Sequence, residues 1–456
     1  MNTNYTHKNK RNSLSESPTY KIREALRFFN NASGVYAPSF FYMKIDTYIN
    51  IFNKDLEIRK GTKDYADLST FFHEYTHYLQ DIATTYGLIN IDNIYGRIGC
   101  YLRCVLESEQ PNVKFPIILD NIPNAETNYY SLNSALGTTD KWSYNSYSTN
   151  EIVGNPQLID EEYGNTTVCS LNLRLKCQTG ETEAREFVFG AMAIIESMAN
   201  LVENHILTSD REDLCIQYDI VEIICQKTSF LSGNKAIMVA LCDFSLMTTH
   251  PGYYFFYIIG AMRKNNFIPK TANDIYKFSD SLLDSGHIQM FDKRFTSVNE
   301  RLTSLFPEQN PLFKDVGVFL RQCINKAYAF RKTKPYYWGN LMELEAGDAL
   351  NSLIDLTQSI GFTLLVDDYN NCYSSDGEQE KLLLLPAYSA IYSVFSTSGN
   401  FKCSNLELCE KMENIETDNN CLFSPWKRSE QNADGKVCAF GAIWNAWNLY
   451  GKGLLV

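Results

Sequence analysis

Leu68-Ser69-Thr70-Phe71-Phe72-His73-Glu74-Tyr75-Thr76-His77-Tyr78-Leu79-Gln80-Asp81 is the stretch on which the reading of this chain turns. Leu68, Phe72, Tyr75, Leu79, Ile82 and Tyr86 recur at spacings of four and three. That stripe predicts a helix from about Leu68 to Tyr86, packed on a core, with Asp67 or Ser69 placed to cap it. His73 and His77 stand beside the stripe, four residues apart, with Glu74 directly after the first. Side chains at i and i+4 of a helix have Cβ atoms about 5–6 Å apart, so both imidazoles can reach one zinc at about 2.0–2.1 Å. Glu74 lies about 100° round the helix from His73, where it can flank the metal and hold a water without ligating. Zinc lowers the pKa of that water from about 15.7 to about 7. A carboxylate beside it can then take the proton and pass it to a leaving amine.

A catalytic zinc centre has three protein ligands and one open position. The remaining histidines are His7, His205, His250 and His287, but a carboxylate, Glu196, is the better third ligand. It sits in an almost continuously apolar segment, with Phe187, Ala191, Ile194, Met198 and Leu201 on one stripe of a helix expected from about Glu181 to Leu207. An ionised carboxylate there is costly unless it is paired or holds a metal. The competing reading pairs Glu196 with Arg185 or Arg211. Glu203, two turns on, is the fallback ligand, and is otherwise solvated or a supporting residue. The small residues Gly190, Ala191, Ala193 and Ala199 would let another helix approach closely.

The segment from His73 to Asp81 resembles the active-site helix of the zincin metallopeptidases. It is most similar to the gluzincins, whose third ligand is a Glu on a following helix. That resemblance implies a zincin-like core in which His73, His77 and Glu196 bind Zn2+ and Glu74 is the general base. It also implies that Asn200, one turn after Glu196, and Asp81, one turn after His77, orient the ligating imidazoles. The resemblance covers about 45 residues, on the two helices. The 119-residue separation of His77 and Glu196 is longer than usual for the group, and the third His of the metzincins is absent. The activity implied is hydrolysis of a peptide bond in a polypeptide substrate. The alternatives are a zinc hydrolase of a small non-peptide amide or ester, and a non-enzymatic binding protein that keeps the frame. A donor for the developing oxyanion is expected from the C-terminal half. His250, before Pro251 and Gly252 on a loop at a helix end, is the first choice, with Tyr253, Tyr254, Tyr388 and Tyr392 as further options.

Composition bounds the rest. The chain has 456 residues, 45% hydrophobic and 21% charged, an ordinary globular profile. A net charge of −12 gives no general footprint for phosphate backbones, so no nucleic-acid partner is expected. The polar N-terminus lacks the apolar run of a signal peptide, and no stretch reaches the roughly 18 apolar residues of a spanning helix. A cytoplasmic protein with no membrane association is expected. The thirteen cysteines are scattered and read as reduced, mostly buried thiols. The loosely spaced set Cys403, Cys409, Cys421 and Cys438 leaves a structural metal open.

The expected fold is α+β. A flexible tail (1–19) and a short helix (22–29) precede strands within Phe40–Phe52. The zincin-like catalytic core (20–210) carries the active-site helix, a small sheet and a loop-rich insertion (87–165) that includes long loops with a little structure over 110–165. A strand is expected at Thr166–Cys177. A mainly helical C-terminal portion (211–456), with helices near 213–228, 234–248, 252–263, 272–285, 311–330, 340–358 and 382–395, closes the cleft. Residues 400–436 read as loop.

Overall fold

The structure is a computed structural model. It describes residues 34–46, 51–52, 58, 65–110 and the chain from 112 to 455 except for short stretches, the longest being 140–150, 177–184, 208–215, 376–381, 411–416 and 430–437. The expected tail, the helix at 22–29, the turns at Lys60–Thr62 and Gln178–Gly180, and Arg211 lie outside the described residues.

The fold is α+β and predominantly helical. In chain order the first elements are β1 (Gly34–Ala37), β2 (Tyr42–Ile45), α1 (Tyr65–Ile82), α2 (Thr85–Glu107), β3 (Asn112–Lys114), α3 (Ala125–Leu136), β4 (Glu151–Ile152), β5 (Gln157–Tyr163), β6 (Thr166–Lys176) and β7 (Arg185–Phe189). Then come α4 (Ala191–Ile206), α5 (Ile216–Gln226), α6 (Lys235–Leu246), α7 (Pro251–Lys264), α8 (Ala272–Leu283), α9 (Gly286–Leu305), α10 (Pro311–Thr333), α11 (Tyr337–Leu341) and α12 (Ala346–Ile360). The chain ends with β8 (Leu364–Asp367), β9 (Cys372–Tyr373), α13 (Leu384–Ser396), α14 (Leu406–Glu410), α15 (Asn419–Phe423), α16 (Ala439–Ala446) and β10 (Gly453–Leu455).

The sheet that carries the site has the order β1-β2-β8-β9. β1 runs antiparallel to β2, with Tyr36 opposite Met43, and β2 runs parallel to β8, with Met43 opposite Leu365. Its third strand therefore comes from beyond residue 360. The sheet and the continuous buried core both cross residue 210, the expected boundary between catalytic core and helical portion. β4, β5, β6 and β7 form a second antiparallel sheet, and β3 pairs in parallel with β10.

α1 lies across the first sheet, with Phe71, Phe72, Tyr75, Leu79 and Ile82 all buried. The Tyr75 hydroxyl donates to the Gly361 carbonyl at 3.1 Å, tying α1 to the end of α12. Deep in the helical portion, the Arg331 guanidinium pairs with Asp243 at 2.9 Å, and the Tyr276 hydroxyl donates to the same carboxylate. Removing one partner of such a buried pair strands the other charge.

Four local expectations need correction. The first helix stops at Ile82, because Thr84 caps a new one by accepting from Gly87 N at 3.0 Å. The loop-rich insertion opens with the 23-residue α2, whose Leu88, Ile91, Tyr95, Ile98, Leu102 and Val105 are buried at helical spacing. Residues 110–165 hold more than the little structure expected among their loops: β3, α3, β4 and β5. The second helix starts only at Ala191, and Phe187 sits on β7 opposite Leu173. Gly190 makes that break: a Cβ there would stand 2.5 Å from the Leu136 carbonyl oxygen.

Candidate metal centre

Helices α1 and α4 pack together and bring His73, His77 and Glu196 into one buried cluster. Their ligand atoms all lie within 4.8 Å of one another. Glu196 Oε2 is 3.6 Å from His73 Nε2 and 3.4 Å from His77 Nε2, so both imidazoles aim the same ring nitrogen at one carboxylate. These separations are too long for strong direct hydrogen bonds and leave room for an ion between them.

The opposite ring nitrogens are held from outside the cluster. His73 Nδ1 meets Glu203 Oε2 at 2.8 Å, and Glu203 Oε1 accepts from the Ser69 hydroxyl. His77 Nδ1 meets Gln80 Oε1 at 2.9 Å, and Gln80 Nε2 donates to the Ile195 carbonyl at 3.1 Å. A carboxylate and an amide oxygen only accept. In their neutral form both imidazoles therefore carry the proton on Nδ1 and present the Nε2 lone pair to the cluster, the arrangement a metal ligand needs. Glu196 and Glu203 are seven residues apart, close to two helical turns, so one face of α4 supplies both contacts to His73. Glu203 thus has the supporting role, and the fallback in which it ligates is not what its position favours. Glu203→Ala is expected to lower zinc affinity about 10–100-fold, as measured by competition with a chelating dye. Unchanged affinity would remove Glu203 from the centre.

Glu74 flanks the cluster without joining it. Its Oε2 accepts the Tyr36 backbone N–H at 2.6 Å, so strand β1 fixes the carboxylate. The approach is close: a Cβ on Gly34 would stand 2.6 Å from Thr70 Cγ2 and 3.0 Å from Glu74 Cγ. Burial pushes the Glu74 carboxyl up, with His77 and His73 opposing, Glu196 adding to the rise and the Tyr36 hydrogen bond opposing it. Burial also disfavours ionised Glu196, but His77 and His73, when protonated in the absence of a cation, outweigh it and hold that carboxyl well below the usual range. Glu74, Glu196 and Glu203 are each at most 5% exposed. Two imidazoles and the Glu196 carboxylate are a donor set for a divalent cation, whose charge would also offset the burial of Glu74 and Glu203 beside it.

Other expected residues lie elsewhere. Asp81 accepts from Ser39 N at 2.6 Å and from the Tyr36 hydroxyl at 2.9 Å, locking β1 onto α1 rather than orienting an imidazole. Burial pushes its carboxyl up to about 7. Asn200 donates to the Tyr218 carbonyl at 3.4 Å. The two histidine supports are instead Glu203 and Gln80. Gln80, three residues after His77, was legible as a neighbour on the same helix face. His205 Nε2 meets the Leu344 carbonyl at 3.0 Å.

His250 precedes the first turn of α7, as its loop sequence implied. Its Nδ1 meets the Thr249 hydroxyl, and burial lowers its pKa. It lines a 430 Å³ cavity with Arg97, Arg294 and Arg301, whereas His77 and Glu196 line another. Tyr388 is buried against Trp447 and Phe306. Tyr218 on α5 stands beside the centre, its ring centroid 5.7 Å from that of His73 in an edge-on contact. Nothing local to its sequence separated it from the other tyrosines.

The cavity reaching His77 and Glu196 has a volume of 160 Å³ and a mainly apolar wall that includes Phe40, Ile94, Leu132, Leu136, Met192 and Ile195. Comparisons of the chain with family models, curated proteins and solved structures return no match, so the site stands on its own geometry.

Proposed function

We propose that this protein is a zinc-dependent metallopeptidase. Its ligands are His73, His77 and Glu196, and Glu74 is the general base. The observation that carries this reading is Glu74, buried beside the cluster and fixed by the Tyr36 amide. A purely structural metal site has no use for a carboxylate held beside the ligands but off the metal. Zinc bound by the three ligands would acidify a water and polarise the scissile carbonyl.

Glu74 then accepts the proton and returns it to the departing amine. The hydrogen bond from Tyr36 N to Oε2 keeps the carboxylate from swinging onto the ion. Tyr218, beside His73, replaces His250 as the residue to carry the oxyanion donor.

The cavity size favours a polymer over a small substrate. Pockets that enclose a whole small ligand hold about 300–1,000 Å³. The 160 Å³ beside His77 suits one apolar side chain of a longer chain. The expected specificity is a large aliphatic or aromatic residue next to the cleaved bond.

The test is incubation of zinc-loaded protein with a mixture of denatured polypeptides, with new N-termini mapped by mass spectrometry. Cleavage that stops on chelation, returns with zinc and clusters beside large apolar residues is the expected result. Absence of cleavage, with release of small acyl esters or amides under the same conditions, would favour the small-substrate hydrolase.

A further inference from the structure

The C-terminal segment is built from elements too short to hold themselves. α14 and α15 have five residues each, and a five-residue 3-10 turn (Pro425–Ser429) follows. A single turn of helix has almost no intrinsic stability, so something else must fix this region. Cys403, Cys409, Cys421 and Cys438 come together there from four separate places. Cys403 precedes α14, Cys409 lies on it, Cys421 lies on α15, and Cys438 caps α16, its Sγ accepting from Gly441 N at 3.4 Å. All four line one small cavity of 20 Å³. Cys403 N donates to the Cys421 carbonyl at 2.8 Å, joining the first and third positions. All four thiols are free.

We propose that Cys403, Cys409, Cys421 and Cys438 form a second metal centre, a four-thiolate site that takes zinc and pins the C-terminal segment. The cavity holds about one water-sized sphere, which fits an ion and excludes an organic cofactor. Four sulfurs with no other ligand type suit a tetrahedral structural ion with no open position. An ion entering the cavity displaces the thiol protons to solvent, and each sulfur gains a metal bond in exchange. Zinc–sulfur bonds of about 2.3 Å hold four sulfurs in a tetrahedron, so binding ties the four elements together. Arg428, whose guanidinium is paired with Asp418 at 3.1 Å, lines the same cavity as the four cysteines. There it offsets part of the negative charge of four thiolates around a divalent ion.

This inference is independent of the hydrolase reading. The probe is Co2+, loaded after chelator treatment of the whole reduced protein. Thiolate ligands give cobalt a charge-transfer band in the near ultraviolet, which a His/His/Glu centre cannot produce. The expected result is that band in the wild type, its retention with about one equivalent bound in the His73→Ala/His77→Ala variant, and its loss in Cys409→Ser/Cys438→Ser. If the cysteine variant does not fold, the first two spectra decide. A folded, cobalt-loaded wild type without the band overturns the proposal. So does mass spectrometry of unreduced protein showing these cysteines in disulfides.

Discussion

Glu74→Gln is expected to bind zinc as the wild type does and to lose about 10²–10⁴-fold in kcat. The amide is isosteric and can still accept the Tyr36 N–H at Oε1, so the strand-to-helix contact at 2.6 Å survives. What it loses is the capacity to take a proton. The proposed metal ligands are other side chains, so metal content is the internal control. Equal loss of zinc and activity would place Glu74 among the ligands. Full activity with full zinc would remove it from the chemistry and revive a binding protein.

The second large effect is expected from Glu196→Ala. Both imidazoles direct Nε2 at this carboxylate, at 3.6 and 3.4 Å, so its removal opens the centre and leaves two ligands. Zinc affinity should fall by more than the roughly 10–100-fold expected for an outer partner such as Glu203. Stoichiometry and affinity are read on dialysed protein. Retained zinc at full occupancy would move the third ligand to Glu203 or His205. The structure disfavours both, since Glu203 meets the Nδ1 side of His73 and His205 meets the Leu344 carbonyl.

These two variants separate roles that are adjacent in sequence and in space. Loss of a ligand destroys the centre, whereas loss of the base leaves it intact and silent. Glu203→Ala falls between them, because it frees the His73 ring to turn and change tautomer without removing a donor atom.

Among the described residues, no helix is long and apolar enough to cross a membrane, and two apolar runs, from about Tyr253 and from about Leu382, are spent on the core. Those runs became α7 and α13, and Ile258, Ile259, Tyr388 and Ile391 are all buried.

The sequence by itself determined the local geometry of the centre. Spacing on one helix put His73, Glu74 and His77 in place, because i and i+4 share a face whatever the rest of the chain does. The cost of burying a carboxylate singled out Glu196 from 119 residues away. Most helices after residue 210 followed from the same periodicity. Tertiary structure alone decided what met across the chain. β8, from residues 364–367, completes the sheet under α1, and no local pattern marks which distant strand will pair. Pairing with β6 made strand β7 of residues 185–189, which were expected as helix. The tautomers of His73 and His77 were set by Glu203 and Gln80, the site of His250 by α7, and the approach of Tyr218 by α5. Periodicity fixes the face of an element, but the partner of that face is chosen by packing over the whole core.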